Sequence, residues 1–522
     1  MPIYFLRRPT ALRLLLGLTG LLLGGCARRD FFQADARVGA GSNAALPPAA
    51  DSVLATAGRH YNRHSALYEA LLGRHYRRVW AAPVRAPVLR LATAVPGGLR
   101  PGKLGGGYQS ISMTLVGAQG REYSLRTLDK EPSKILPAWL RPTFLVNAVR
   151  DATSAALPYA ALTVPPLARA AGVPHGRPRL VYVRPDETGL GPVSARFQGK
   201  LALLEEKYNA PASRTPDLAG TTDFLGSEAV LKRVYADPTH AIDQAAFLRA
   251  RLLDVWLGDW DRHEGQWQWA AHPEGRGRVG YRPIPKDRDQ VFFRFDDGAL
   301  PWLVSRRGLV PRFQTFRGRY GNVAGLVHQA KFIDERGLAQ MTRADFRRAA
   351  ADLQRRLPDS LIERAMRQLP PAVFALEGPG LATALRARRD ALPQAADQFY
   401  RTLARRPTVG GTARPEHFTV RQYADSVTVL VQVEPSTGTL AAFYARTFYP
   451  AETRLVTLEG LDGDDVFTVV APPDGRAPAP IRLRLRGGSG TNRLEAPGRP
   501  RRFRYDDGRT TPPRPYNRLN DD

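Results

Sequence analysis

The chain has 522 residues, of which 76 are Lys or Arg and 49 are Asp or Glu. Its hydrophobic content of 43% and charged content of 24% are typical of a folded protein with several domains and exclude a disordered chain. A single cysteine excludes a disulfide framework and every zinc or iron–sulfur site built from clustered cysteines. No apolar run reaches the roughly 18 residues of a membrane span, which excludes a multi-pass membrane protein.

The net charge of +27 is spread along the chain. Only eight of the basic residues are Lys, and the arginines form no long run interleaved with aromatic residues. Recognition of nucleic acid favours a localised basic stripe. We therefore expect a solvated basic surface and no nucleic-acid partner.

The N-terminus has the pattern of a secretory signal. A basic start is followed by the apolar run 14–23, which is too short for a permanent membrane helix. The ending LGGC resembles the lipobox of bacterial lipoproteins, whose cysteine is acylated and becomes the mature N-terminus. The resemblance implies removal of residues 1–25 and a lipid anchor, such as palmitate, on Cys26. The alternative is a plain secretory signal with a chance cysteine.

Composition divides the remaining chain into four parts. Residues 26–57 are rich in small residues without periodicity, which favours a flexible tether. Residues 58–206 contain predicted strands and should form an N-terminal lobe, and residues 207–405 a helical C-terminal lobe with a helical extension. Over residues 406–522, short alternating runs predict a small all-β domain. No internal repeat with a period of about 20–50 residues is found.

Hydrophobic periodicity predicts the individual elements. Residues 241–258 are apolar around most of the helix circumference, so this helix should be buried. The predicted elements, in chain order, are a helix over 58–80, strands over 109–116 and 122–127, proline-broken helices over 142–172, strands over 179–183 and 201–205, the helix over 241–258 and helices over 341–405.

The most informative stretch runs from Leu252 to Phe295. The buried helix ends at Gly258 and the polar loop DWDRH follows, whereas the segment DRDQ follows a predicted hairpin near 279–283. Carboxylates on two adjacent loops can bind Mg²⁺ or Mn²⁺ and act as a general base. The aspartates of this stretch that lie outside the helix and near its four tryptophans are Asp259, Asp261, Asp287 and Asp289.

This motif order resembles the kinase-like enzymes of the HipA, CotH and Golgi secretory-kinase groups. The loop GDWDRH and the segment DRDQVF match their catalytic and metal-binding motifs. The resemblance implies an α+β, two-lobed protein-kinase-like domain that uses Mg²⁺ or Mn²⁺ with a nucleotide. It implies that Asp261 and His263 are catalytic and that Gln266, Asp287 and Asp289 hold metal. The implied cofactor-binding residues are Gly105, Gly106 and Gly107 of a Gly-rich loop, with Arg126 or Lys130 on the phosphates.

Several residues depart from the kinase pattern. Arg126 stands where kinases carry Lys, and Gln266 stands where many carry Asn. Asp151 is the expected acidic partner of Arg126, where kinases use Glu, and Glu205 and Glu206 are less favoured partners. Outside the cytoplasm ATP is scarce, so a non-catalytic, pseudokinase-like module stays open. A third interpretation takes the segment DRD as the metal site of a glycosyltransferase or hydrolase. The structural alternative makes the tryptophans core residues and the DRH loop an ion-pair loop.

A second resemblance covers roughly residues 60–510. The segments GGGYQSISMTL, YSLRTLDKEP, GDWDRHEGQW, YRPIPKDRDQVFF and EGLDGDDVF together resemble a region of predicted bacterial outer-membrane proteins that precedes a surface-antigen barrel. The resemblance implies a location in the bacterial envelope, at the outer membrane, and an outer-membrane barrel protein as partner.

The C-terminal region carries a separate acidic motif. GLDGDD and the later GGSGTN resemble halves of calcium-binding GGxGxD turns. Asp462, Asp464 and Asp465 supply hard oxygen ligands for Ca²⁺ at tight spacing. The alternative is a set of acidic β-turns without a metal.

Overall fold

The computed structural model describes residues 27–28, 30–39, 45–105, 111–210, 213, 216–306, 312–433 and 441–507. Within these ranges, no helix has both the length and the apolar character of a membrane span. The helices are α1 (Ala66–Leu72), α2 (Arg77–Ala81), α3 (Leu145–Asp151), α4 (Val164–Ala171), α5 (Ser227–Val234), α6 (Gln244–Leu257), α7 (Ala299–Arg306), α8 (Val323–Leu326), α9 (Lys331–Gly337), α10 (Arg343–Arg356), α11 (Asp359–Met366), α12 (Pro371–Asp390) and α13 (Leu392–Ala404).

The described strands form five sheets. In chain order they are β1 (Ser52–Ala55), β2 (Val84–Pro87), β3 (Arg100–Gly105), β4 (Ser112–Val116), β5 (Glu122–Thr127), β6 (Arg179–Tyr182), β7 (Leu201–Lys207), β8 (Asp223–Gly226), β9 (His240–Ile242), β10 (Trp267–Gly275), β11 (Arg278–Pro285), β12 (Thr408–Gly410), β13 (Glu416–Gln422), β14 (Val427–Val433), β15 (Ala441–Phe448), β16 (Leu455–Glu459), β17 (Val466–Val470), β18 (Arg482–Arg486), β19 (Arg493–Glu495) and β20 (Phe503–Asp506).

The N-terminal lobe is built on an antiparallel sheet in the order β3–β4–β5–β7–β6. Strand β5 has the predicted bounds, and its side chains alternate between the two faces of the sheet. Tyr123, Leu125 and Thr127 are buried on one face. Ser124 and Arg126 lie on the other face, which meets the loop after β11.

The second lobe is built around the buried helix α6, as predicted. Asp243 caps its N-terminus by accepting the N–H of Ala246 at 2.9 Å, and Gly258 ends it in the left-handed conformation at φ 72°. A Cβ on Gly258 would also lie 2.8 Å from the ring of Phe316. Both the backbone conformation and this close approach therefore require glycine at position 258. The sheet β8–β10–β11–β9 packs beside this helix.

Residues 30–39 and 45–57 are held against the lobe, unlike the flexible tether that the sequence predicts over residues 26–57. The N–H of Ala36 donates to Gly199 O at 2.7 Å, and β1 pairs with β2. Phe31 packs against the rings of His60 and Tyr61, and the Arg150 guanidinium lies 5.7 Å from its centroid. The prediction failed because aromatic and paired charged side chains sit among the small residues and anchor the segment to the lobe.

The helix predicted over 58–80 is also interrupted. It consists of a 3₁₀ turn at Arg59–Asn62 followed by α1 and α2. Gly73 lies between the two helices at φ 101°, which L-amino acids with a Cβ rarely adopt. One interior glycine therefore overrides the helical periodicity on either side.

The C-terminal region is a parallel β-roll made of two sheets. The chain passes from one sheet to the other in three neighbouring turns, at 411–415, 460–465 and 487–492. Strands β12, β16, β18 and β20 form one parallel sheet; β13, β17 and β19 run parallel in the other, where β14 and β15 are added antiparallel. Asp465 and Asn492 hold equivalent places 27 residues apart. The sequence prediction of an all-β region is confirmed. Paired strand residues are 49 apart at Thr408 and Thr457, 27 apart at Leu455 and Arg482 and 20 apart at Leu483 and Phe503, so the strands follow no fixed period.

Two lobes, a helical segment formed by α10–α13 and a final all-β region together give the predicted α+β fold class. The two lobes meet where β5 faces the loop that follows β11, and the candidate residues gather at this junction.

Candidate functional site

Cationic and acidic candidates meet at the junction of the lobes. Arg126 of β5 forms an ion pair with Asp287, and its Nη1 atom lies 3.7 Å from Oδ2 of Asp289. The Lys130 Nζ atom lies 2.5 Å from the same oxygen of Asp289. Segments separated by 159 residues in the chain therefore come together here, as the motif order predicts.

The loop after β11 turns sharply through two left-handed residues. Asp287 has φ 54° and Phe292 has φ 61°. Aspartate tolerates this conformation, whereas a buried phenylalanine is strained in it. The N–H of Phe292 donates to Leu257 O at 3.2 Å, and the hydroxyl of Tyr76 donates to Phe292 O at 2.6 Å. These bonds hold the loop against the end of α6, so the two motif loops are adjacent.

Arg262 joins the two loops. It is fully buried, and its guanidinium donates to Lys286 O at 2.6 Å and to Gln266 O at 3.0 Å. The same group lies 4.7 Å from the ring centroid of Trp267. The arginine of the DRH motif is thus a structural residue. Its hydrogen bond to Lys286 O fixes the backbone directly before Asp287.

Asp254 is the centre of a buried charge network that sequence reasoning missed. Its carboxylate accepts from Arg251 at 2.7 Å, lies 3.3 Å from Arg262 and forms an ion pair with Arg288. Burial by itself would raise the pKa of Asp254, but the charges of Arg288, Arg262 and Arg251 outweigh it and lower the pKa. A charged residue inside a helix that is apolar all round must have such partners, and that signal could have revealed it.

Asp259 belongs to the same network. It is 2% exposed, and its Oδ2 atom lies 3.3 Å from Arg288 and 3.7 Å from Arg262. Burial raises its pKa to about 7 against the pull of these two arginines. This side chain therefore supports the loop and does not face the junction as a free ligand.

Asp261 is the carboxylate left available at the junction. Within the described residues it makes no side-chain hydrogen bond and no ion pair. Burial raises its pKa, opposed by His263 and reinforced by the nearby charges of Asp289 and Asp287. A carboxylate with a raised pKa beside two others suits a proton acceptor.

His263 and Gln266 flank this carboxylate. His263 Nδ1 accepts the N–H of Gly265 at 3.1 Å, so the ring caps the turn Glu264–Gln266. The Gln266 Nε2 atom lies 3.5 Å from Oδ2 of Asp287. All five polar candidates of the two loops therefore lie in one neighbourhood.

Glu205 and Lys286 also lie at the junction. The sequence gives Glu205 only as a less favoured partner of Arg126 and does not single out Lys286. Burial raises the pKa of Glu205 to about 7, opposed by Arg126 and reinforced by Asp287 and Asp289. Burial lowers the pKa of Lys286 to about 8, helped by the charges of Lys207 and Arg262. Lys286 directly precedes the DRD motif, and that adjacency was the available signal.

Asp151 is not the partner of Arg126 that the kinase pattern predicts. It is buried and receives two hydrogen bonds from Arg77, at 2.5 and 2.6 Å, and it lies 3.0 Å from His64. The acid that shares the face of Arg126 is Glu205 of the neighbouring strand β7, which pairs with Ser124. The prediction failed because α3 turns its acidic end towards α2.

The cavity at the junction is small. Its volume of about 20 Å³ has room for roughly one water molecule. Ser124, Arg126 and Glu205 line it from the sheet, and 287–289 line it from the loop. A larger ligand therefore requires the ion pairs between the lobes to separate.

The Gly-rich loop is described only at its start. Gly105 ends β3 and lies in one cross-strand row with Ser112 and Arg126. Gly106 and Gly107 lie outside the described residues, and so does Cys26. The loop therefore begins two strands away from Arg126, on the same level of the sheet.

The donor set fits a hard cation. Asp287 and Asp289 supply carboxylates and Gln266 an amide oxygen, and Mg²⁺ uses one or two carboxylates together with waters and substrate phosphates. Among the residues that the structure describes, no three His, Cys, Asp or Glu side chains form a ready metal cluster. The fit therefore depends on phosphate oxygens completing the coordination.

The acidic turn of the β-roll is built differently. The Asp465 carboxylate accepts the N–H of Glu416 at 3.0 Å, and Asp464 accepts the N–H of Thr491 at 2.7 Å. These bonds tie neighbouring rungs together, and burial raises the pKa of Asp465 to about 7. The contacts favour the acidic-turn alternative for Asp464 and Asp465, and calcium binding with Asp462 stays a prediction.

Three of the four tryptophans of this stretch follow the core interpretation, whereas Trp260 is half-buried and packs against the rings of Phe293 and Phe313. Trp256, Trp267 and Trp269 are fully buried, and their indole N–H groups donate to Leu385 O, Arg262 O and Ser227 Oγ, respectively.

Comparisons with known proteins give little beyond this geometry. No protein-family model matches the chain, and no curated protein is significantly similar to it. Among solved structures, it is similar to the toxin HipA of the Shewanella oneidensis MR-1 toxin–antitoxin system, in its complex with HipB and operator DNA. The match covers 60% of this chain and 76% of that chain at 13% identity, with a TM-score of 0.28. A similarity this weak carries no argument about activity.

Proposed function

We propose that the chain is a kinase-like protein that binds a nucleotide polyphosphate with a divalent cation between its lobes. The carrying observation is the meeting of Arg126 and Lys130 with Asp287 and Asp289. A polyphosphate with its metal ion requires both kinds of charge in one place, because cations neutralise the phosphates and carboxylates hold the metal. Lys286 adds a third cation beside the same loop.

The further proposal is phosphoryl transfer to a hydroxyl. Asp261 accepts the proton of the acceptor hydroxyl, whose oxygen forms a bond to the γ-phosphorus. The bond from that phosphorus to the β–γ bridging oxygen breaks, and the nucleoside diphosphate leaves with the electron pair. Arg126 and Lys130 orient the phosphates, and the loop that Arg262 fixes keeps Asp287 in place. A divalent cation bound there would neutralise charge on the phosphate oxygens.

Nucleotide binding can be tested by thermal unfolding. We expect ATP with Mg²⁺ to raise the Tm of the wild-type protein, since a ligand at about 100 times its Kd stabilises the fold by about 2.7 kcal/mol. Asp287→Ala and Lys130→Ala should lose most of this shift, each measured against its own Tm without nucleotide. Lys134→Ala, a lysine exposed nearby, is the matched control and should keep the shift. Equal shifts in wild type and Asp287→Ala would contradict the proposal.

A non-catalytic module is the second candidate, and the small cavity favours it. If the ion pairs between Arg126 and Asp287 and between Lys130 and Asp289 stay closed, the lobes form one rigid surface. Such a module working with an outer-membrane barrel protein predicts co-purification with the barrel and no nucleotide-dependent Tm shift.

We propose further that Cys26 is acylated and anchors the protein to the outer membrane of a bacterial envelope. The support is the basic, apolar and LGGC pattern of residues 1–26. Cys26→Ser should move the protein from the membrane to the soluble fraction, as measured by fractionation and immunoblotting. Membrane binding of this variant at the wild-type level would contradict the anchor.

A further inference from the structure

An exposed apolar surface lies on the N-terminal lobe. Two short turns, Pro132–Ile135 and Ala138–Leu140, present Trp139 at 72% and Ile135 at 53% exposure. Lys134 and Arg141 are exposed on either side of them. We refer to these four residues as the Trp139 surface. Single exposed apolar residues are common, so the surface needs a second observation to be informative.

The backbone beneath this surface is held firmly. Glu131 accepts the N–H of Ser133 at 3.1 Å, and its carboxylate takes three hydrogen bonds from Arg150 at 2.6–3.0 Å. The Arg141 side chain donates to Leu136 O at 3.0 Å. Trp139 is therefore presented to solvent by a fixed segment.

The described chain begins beside this surface. The N–H of Ala27 donates to Pro142 O at 2.8 Å, and the N–H of Arg28 donates to Asn147 Oδ1 at 3.0 Å. Arg150 holds the same segment by donating to Arg28 O at 3.0 Å. Ala27, which directly follows the proposed anchor residue Cys26 in the chain, is therefore held at Pro142, three residues after Trp139.

We infer that the Trp139 surface rests on the membrane that holds the lipid anchor. This inference relies on the proposed acylation of Cys26, whose acyl chains would leave the protein at this point. Indole and aliphatic side chains prefer the interface between headgroups and hydrocarbon, and lysine and arginine pair with anionic headgroups. Trp139, Ile135, Lys134 and Arg141 supply this chemistry, and the hydrogen bonds that hold Ala27 and Arg28 beside them set which face of the lobe meets the bilayer.

Tryptophan quenching tests the contact, because the other tryptophans are mostly inside the protein. Of the seven, only Trp139 and Trp302, at 48%, are exposed. The full chain is expressed with an alkyne-tagged palmitate label and reconstituted in phosphatidylglycerol vesicles that contain brominated phosphatidylcholine. We expect a label that depends on Cys26 and quenching that Trp139→Phe largely removes. Trp302→Phe is the matched control and should retain the quenching.

The outcomes separate the two proposals. If the protein is labelled but Trp139→Phe does not change the quenching, or Trp302→Phe removes it instead, the Trp139 surface does not contact the membrane. The proposed acylation of Cys26 is not contradicted by either result. If the protein is labelled but no quenching occurs, membrane contact is likewise contradicted, and a protein partner becomes the expected occupant of the Trp139 surface. Wild-type protein that takes no label overturns the anchor, and with it the reason for this surface to face a bilayer.

Discussion

Replacing Asp254 by asparagine is expected to lower the free energy of unfolding by about 3–5 kcal/mol, the usual cost of breaking a buried ion pair on one side. Three guanidiniums, those of Arg251, Arg262 and Arg288, share this carboxylate within the core. Removing the negative charge leaves buried positive charges close together. Arg251 keeps Asp334, at 2.6 Å, whereas among the described residues Arg262 and Arg288 keep only Asp259 as an ion-pair partner.

Urea unfolding at neutral pH measures this effect, with Asp259→Asn as the matched control. Because the pKa of Asp259 is raised to about 7, its carboxyl is already partly protonated, and the amide imitates that form. The control should therefore cost much less than Asp254→Asn. A larger loss in Asp259→Asn would show that the network is centred elsewhere.

The two carboxyl groups also predict opposite dependences on pH. The pKa of Asp254 is lowered on folding, so its contribution to stability is complete above the ordinary value near 4 and is lost as the pH falls through the folded value. The pKa of Asp259 is raised, so its ionisation opposes folding, and stability declines as the pH rises from about 4 to about 7. Asp259→Asn should remove that decline, which unfolding at pH 5 and pH 8 would reveal.

Replacing Asp261 by asparagine is expected to lower the rate of phosphoryl transfer by about 10²–10⁴, the usual contribution of a general base. The substitution keeps the size of the side chain and removes its ability to take a proton. Because Asp261 makes no ion pair in the described structure, folding should be little affected. The loss should therefore fall on kcat, with the nucleotide-induced Tm shift retained.

The pH profile distinguishes a proton acceptor from a merely structural residue. The pKa of Asp261 is raised, so the active carboxylate form should be lost on the acidic side at a higher pH than for an ordinary aspartate. The variant should show a low rate without this acidic limb. Asp223→Asn, the same change at an exposed position of β8, is the control. Unchanged transfer in Asp261→Asn would remove this residue from the proposed chemistry.

Periodicity predicts the elements that are uniform in character. Strand β5 has the predicted bounds, because alternation depends only on local sequence. Helix α6 ends where predicted but begins at Gln244 instead of residue 241, because His240–Ile242 form strand β9. The meeting of Arg126 with Asp287 followed from the order of motifs along a two-lobed chain. Their chemical roles stay predictions.

The remaining errors concern tertiary partners. The position of Asp151 in the chain predicts an ion pair with Arg126, but the packing of α2 places Arg77 on both of its carboxylate oxygens. Burial raises the pKa of Glu205, and neighbouring β7 residues give no local sign of this. The segment 30–57 was predicted to be a tether on its small residues, although two phenylalanines anchor it. In each case the decisive contact lies far away in sequence.

The β-roll has a consequence for how this region can change in length. Equivalent positions are 27 residues apart between the second and third rungs and 49 apart between the first and second, where the hairpin β14–β15 is added. At both spacings the side chain at the end of a turn, Asp465 or Asn492, accepts the backbone N–H of the equivalent residue in the preceding rung. An insertion that loops out between complete strands, as the hairpin β14–β15 does, leaves these hydrogen bonds in register. One extra residue inside a turn would instead move Asp465 or Asn492 away from the backbone N–H that it binds.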